Sequence, residues 1–103
     1  MTLKEIKANF RASAKDPNGL FLLSPENAIR FIDSCIKSGY TLAGVEGFVI
    51  TDRGAFQPCQ EHSNDIADTN SIHATFVQET KQFIEERRDQ NIWFEVILSK
   101  NKE

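Results

Sequence analysis

The chain has little with which to cross-link itself or enter a membrane. Its two cysteines, Cys35 and Cys59, are too few for a disulfide framework, and in a reducing compartment they are expected as thiols. The longest clear apolar run, LFLL at 20–23, falls far short of the roughly 20 residues that a membrane helix needs. The N-terminal MTLKEIKANFRASAKD mixes charged and apolar residues too regularly for the continuous hydrophobic core of a signal peptide. The expectation is a cytoplasmic protein with no membrane partner. Tyrosine and tryptophan occur once each against eight phenylalanines, which assigns most aromatic mass to core filling.

Positive charge is absent from a long interval. No Lys or Arg occurs between Gly54 and Thr80, where Glu61, Asp65, Asp68 and Glu79 lie, with Glu46 and Asp52 just before. The first 43 residues carry a mild basic excess, so the net charge of −3 conceals an uneven distribution. An acidic segment repels phosphate backbones, whose binding depends on Lys and Arg. This disfavours nucleic acid as a direct ligand of that region.

With 40% hydrophobic residues in 103, the chain can build one core, and a single α+β domain over residues 1–103 is expected. Leu3, Ile6 and Phe10 fall at helical spacing. DPNG at 16–19 is a turn signal. Ser24 before Pro25 reads as an N-cap with proline in the first helical turn. Ala28, Phe31, Ile32, Cys35 and Ile36 then form one apolar stripe, which Gly39 can end in a left-handed conformation. LFLL before this helix fits either a short buried extended piece or a packing staple.

Val45 to Thr51 alternates as a strand, with Glu46, Phe48 and Ile50 on one face and Val45, Gly47, Val49 and Thr51 on the other. Gly44 and Gly47 suit a bulge or close packing near its start. Asp52, Arg53 and Gly54 favour a hairpin into a short strand, Ala55 to Gln57, which Pro58 ends or marks as an edge. Residues 59–71 read as a polar loop with a helical turn near Asp65. Ser71 can cap a helix carrying Ile72, Phe76, Phe83 and Ile84. A final strand, NIWFEVILSK, sets Ile92, Phe94, Val96 and Leu98 against Trp93, Glu95 and Ile97. The order α-α-β-β-α-β implies a small antiparallel sheet of about three strands, with three helices packed mainly on one face.

Several motifs have a chemical and a plainer reading. Cys59 and His62 supply a thiol and an imidazole, the parts of a thiol-dependent enzyme. A catalytic Cys and His usually come from distant segments, so a cysteine at a strand end with a surface histidine is the favoured reading. Cys59, His62, Asp65 and His73 offer metal-ligand atoms but lack paired zinc-ligand spacing, and neither metal nor cofactor is assigned. GVEG has no phosphate-loop lysine or following helix. EERRDQ at 85–90 reads as a solvated helix end whose acids offset Arg87 and Arg88. The acidic interval, with Gln57, Gln60, His62 and Asn64 interspersed, suits either solubility or complementation of a basic protein surface.

AIRFIDSCIKSGY, TLAGVEGFVI, the turn TDRG, and the closing FIEERRDQNIWFEVIL together resemble small immunity proteins of bacterial polymorphic toxin and contact-dependent growth inhibition systems. The resemblance spans about residues 25–98 and rests on element order and hydrophobic placement. QPCQEHSND departs from those proteins in lacking an aromatic residue. The resemblance implies a non-enzymatic antidote that binds a cognate toxin domain, such as a basic nuclease, and blocks its active site or substrate path. Glu46, Asp52, Gln60, Glu61, His62, Asp65 and Asp68 are then the candidate partner-binding residues. The alternatives are a regulatory protein-binding module without a toxin partner and, behind it, the thiol-dependent enzyme.

Overall fold

The computed structural model describes residues 2–15, 19–65 and 73–99, and for residues 60–65 it is the backbone that is described. Helix α1, Leu3–Phe10, begins at a reciprocal cap: Thr2 Oγ1 accepts from the Glu5 amide at 3.2 Å, and the Thr2 amide donates to Glu5 Oε1 at 2.9 Å. The Leu3 amide donates to the Tyr40 hydroxyl oxygen at 2.9 Å, tying this start to the segment after the second helix. A 3-10 turn, Arg11–Ser13, and a two-residue strand β1, Leu22–Leu23, follow. LFLL therefore supplies an extended piece, the fourth strand beyond the three expected.

Helix α2, Pro25–Lys37, starts where Ser24 and Pro25 predict, although the cap is made by the Ser24 carbonyl, which accepts from Ala28 N at 2.7 Å, with no side-chain capping bond. Its end satisfies two orphan carbonyls. Gly39, at φ 93°, donates to Ile36 O and Tyr40 N donates to Cys35 O, each at 3.0 Å, a Schellman stop that favours a residue without Cβ.

The sheet has order β1-β4-β2-β3, with every neighbouring pair antiparallel; β2 is Leu42–Ile50, β3 is Phe56–Asp65 and β4 is Ile92–Leu98. Helix α3, His73–Glu85, joins β3 to β4. Ile6 from α1, Phe31 and Ile32 from α2, and Phe76 and Ile84 from α3 pack into one cluster with Val45, Ile92 and Phe94 of the sheet. The three helices thus cover one face, as the alternation of β2 and β4 requires. No helix among the described residues is long and apolar enough to cross a membrane.

The second hairpin strand corrects the sequence reading most. It runs ten residues, through Pro58 to Asp65, in place of Ala55 to Gln57 followed by a loop, and Asp65 is extended where a helical turn was expected. The physical reason is position. As an edge strand β3 pairs on one side only, so a proline without a donor and a polar sequence are both tolerated. Its register is broken: Gly47 faces Cys59, yet Val45 faces Asn64, so two steps along β2 match five along β3. A second, one-residue irregularity lies between Leu42 and Gly44 against β4. Gly44 and Gly47 border these bulges, as their spacing suggested. Asp16, Pro17, Ser71 and Ile72, invoked for a turn and a helix cap, lie outside the described residues.

Candidate binding face on the sheet

The helix-free face is assembled by register. Trp93 of β4 lies opposite Phe48, which lies opposite Pro58. In the next row Leu22 of β1 pairs with Glu95, and Glu95 pairs with Glu46. Beyond that, Ile97 pairs with Gly44, and Gly44 with Asp65. Ile50 and Ile97, at 36% and 41% exposure, are the exposed large hydrophobic residues among the described ones, and both belong to this face. Leu22 and Phe48 belong to it too but are buried, at 0% and 4%. The face is therefore apolar, with two carboxylates near its centre.

Like charges on directly opposed strand residues repel. Glu95 shows the consequence: its carboxyl is pushed above the usual glutamate range, first by burial, then by the Glu46 charge, while Lys7 opposes the shift. Neither carboxylate makes a salt bridge among the described residues. The nearby lysines are held over rings, Lys7 Nζ 5.3 Å from the centre of Phe21 and Lys15 Nζ 4.8 Å from that of Trp93.

Asp52 lies at the exposed tip of the β2–β3 hairpin. There Gly54 N donates to Thr51 O at 2.9 Å, Thr51 N donates to Ala55 O at 2.8 Å, and Ala55 N donates to Thr51 Oγ1 at 3.1 Å. Gly54 at φ 80° completes a three-residue loop with a left-handed last position. Arg53 shares this tip, so its charge is mixed. Gln60, Glu61 and His62 fall in the backbone excursion between Cys59 and Asn64, alongside Glu46, and Asp65 ends the same strand. Asp68 lies outside the described residues. One hairpin thus holds six of the seven candidates, and Glu95, Trp93 and Ile97 join the face from β4. Strand alternation placed those three together; their apposition to Glu46 depends on inter-strand register.

Other chemical groups have structural employment. His73 Nε2 accepts the Leu42 amide at 2.9 Å, which leaves the ring proton on Nδ1 and links α3 to β2. Cys35 is buried, and burial pushes its thiol up to about 11, with Lys7 pulling the other way. Both cysteines are thiols. Among the described residues no group of three or more His, Cys, Asp or Glu is placed to hold a metal ion. Arg88 pairs with Glu85, and Arg87 donates to Phe83 O at 2.9 Å, so EERRDQ is bonded within its own helix end. A groove of about 630 Å³ between α2 and α3 is bordered by Ile36, His73, Val77 and the Lys81–Asp33 ion pair, which spans 2.7 Å. No protein-family model matches the chain, and no curated protein matches it.

Proposed function

We propose that the protein is an immunity protein that binds a cognate bacterial toxin domain in the cytoplasm and blocks it without chemistry of its own. The observation that carries this reading is the β2–β3 hairpin, in which Glu46, Asp52 and the strand bearing Gln60, Glu61, His62 and Asp65 form one side of the sheet. A basic toxin cleft, as in a nuclease, complements such a surface, and charge complementarity speeds encounter and selects the partner. The resemblance of residues 25–98 to immunity proteins supplies the biological setting. The edge position of β3 and the half-apolar face supply area for contact.

The test mixes the purified protein with the C-terminal domain of the protein encoded immediately upstream. The expected result is a stable complex whose association rate falls as salt rises, and protection of cells expressing that domain. Charge reversal at Glu46 and Asp52 is expected to slow association by at least tenfold. Absence of both complex and protection refutes the reading. A complex with an unrelated cellular protein, without any protection, favours the regulatory module.

A further inference from the structure

We propose that the groove between α2 and α3 binds a small apolar monocarboxylate, its head group at Lys37 and the His73 Nδ1–H and its chain along Ile36, Ala74 and Val77. The site lies in the helical layer and does not depend on the immunity reading. The groove encloses about 630 Å³, within the range of roughly 300–1,000 Å³ over which small-molecule sites occur, often between packed helices. Its floor is continuous with the protein's interior. Val77 is buried and belongs to the central cluster, and Ile36 packs against that cluster. The floor is therefore held in place before a ligand arrives, which lowers the cost of binding.

The two ends of the groove differ in charge. Asp33, about one turn before Lys37 on α2, forms an ion pair of 2.7 Å with Lys81, about two turns beyond His73 on α3. The bond from the Leu42 amide to His73 Nε2 holds the start of α3 beside the chain that leaves α2. The helices are thus antiparallel, and the residues that line the groove sort into two groups. At one end Lys81 and Asp33 neutralise each other. At the other stand the exposed Lys37 and His73, whose acceptor role at Nε2 leaves the ring proton on Nδ1 as a donor. The helical rise from His73 to Lys81 separates the ends by about 12 Å.

This polarity selects the ligand. A carboxylate at the Lys37 end meets a cation and a ring N–H, whereas at the far end Asp33 already holds the lysine. An ammonium head finds only Asp33, whose charge Lys81 shares. A second carboxylate on the tail would lie against Asp33 and be repelled, which restricts the class to monocarboxylates. Because Lys37 is exposed, its ion pair contributes modestly, and most of the affinity comes from apolar contact with the floor.

The experiment titrates the full-length protein with octanoate and follows methyl and ring-nitrogen signals by NMR. Saturable shifts at Ile36, Ala74, Val77 and His73 Nδ1 are expected in the millimolar range. Octanol, which keeps the chain and lacks the charge, is expected to bind about tenfold more weakly. Lys37→Gln should weaken octanoate about threefold and leave octanol unchanged. Ala74→Glu should abolish binding. Ala74 is exposed and an acid suits the first turn of α3, so this variant folds while the groove gains a carboxylate and loses space. A thermal midpoint at or above that of wild type checks the folding. Equal affinity for octanoate and octanol, tighter binding of octylammonium, or octanoate binding undiminished in Ala74→Glu overturns the proposal. Shifts confined to Ile50 and Ile97 overturn it in favour of adsorption on the open sheet face. Trileucine displacing octanoate at about tenfold lower concentration, with its C-terminal amide inactive, overturns it in favour of the end of a protein chain.

Discussion

Replacing His73 by leucine tests how the sheet is tied to its helical layer. Leu42 is fully buried, and its amide sits at the irregularity between Leu42 and Gly44, donating to His73 Nε2 at 2.9 Å. Leucine fills similar space and offers no acceptor. A buried amide left without a partner costs about 1–3 kcal/mol. The contact is partly buried, so the middle of that range, about 2 kcal/mol, applies. At about 2.1 cal/mol/K per residue, the 103 residues give an unfolding entropy near 0.22 kcal/mol/K. The expected fall in Tm is therefore about 9 °C. Calorimetry and urea titration measure it, with the midpoint moving and the slope unchanged. Amide exchange adds a local readout: the Leu42 N–H should exchange faster in the variant. His73→Gln retains an acceptor and should recover part of the loss. A drop below about 3 °C for leucine, or equal losses for leucine and glutamine, refutes the assignment.

Gly39→Ala forces a Cβ into the left-handed stop of α2 at φ 93° and should cost about 1–2 kcal/mol, measured by the same urea titration. Glu95→Gln should stabilise the protein by a few tenths of a kcal/mol at neutral pH. Because the folded state holds this proton more tightly than the unfolded chain, stability falls as pH rises through the window above the ordinary glutamate range. Wild type and variant should converge at lower pH, and stability curves that stay parallel across that window refute the linkage. Cys35 should resist thiol reagents at pH 8, since burial holds its thiol near 11; titration should find one reactive thiol per native chain and two after denaturation.

Local signals read well where one residue settles the outcome. Thr2 and Glu5 have the spacing of a reciprocal cap, a signal available in TLKE. Pro25 and Gly39 bracket α2, and the alternation of VEGFVI and IWFEVIL correctly divides each strand between core and open face. Polar composition misled at β3, because an edge strand needs only one paired flank, which QPCQEHSND finds in β2. The two residues of β1 were too few to show a period. Glu95 was visible as a strand residue, but its opposition to Glu46 is a property of register between segments almost fifty residues apart. No local pattern encodes that pairing. The same limit hid the excursion at residues 60–63, which exists only relative to Val45 and Gly47.

The two flanks of the sheet differ in a way that bears on self-assembly. On one flank, β1 covers Phe94 and Glu95, and Lys15 and Leu22 exchange both backbone hydrogen bonds at 2.8 Å. The outer side of β4 is thereby interrupted at its middle, leaving stretches too short to template a ladder. Among the described residues the other outer edge is that of β3, which a proline and an excursion break. With β1 covering the middle of β4, strand-to-strand association between copies among the described residues would use the β3 flank, and pairing of that flank with its own copy closes at two molecules.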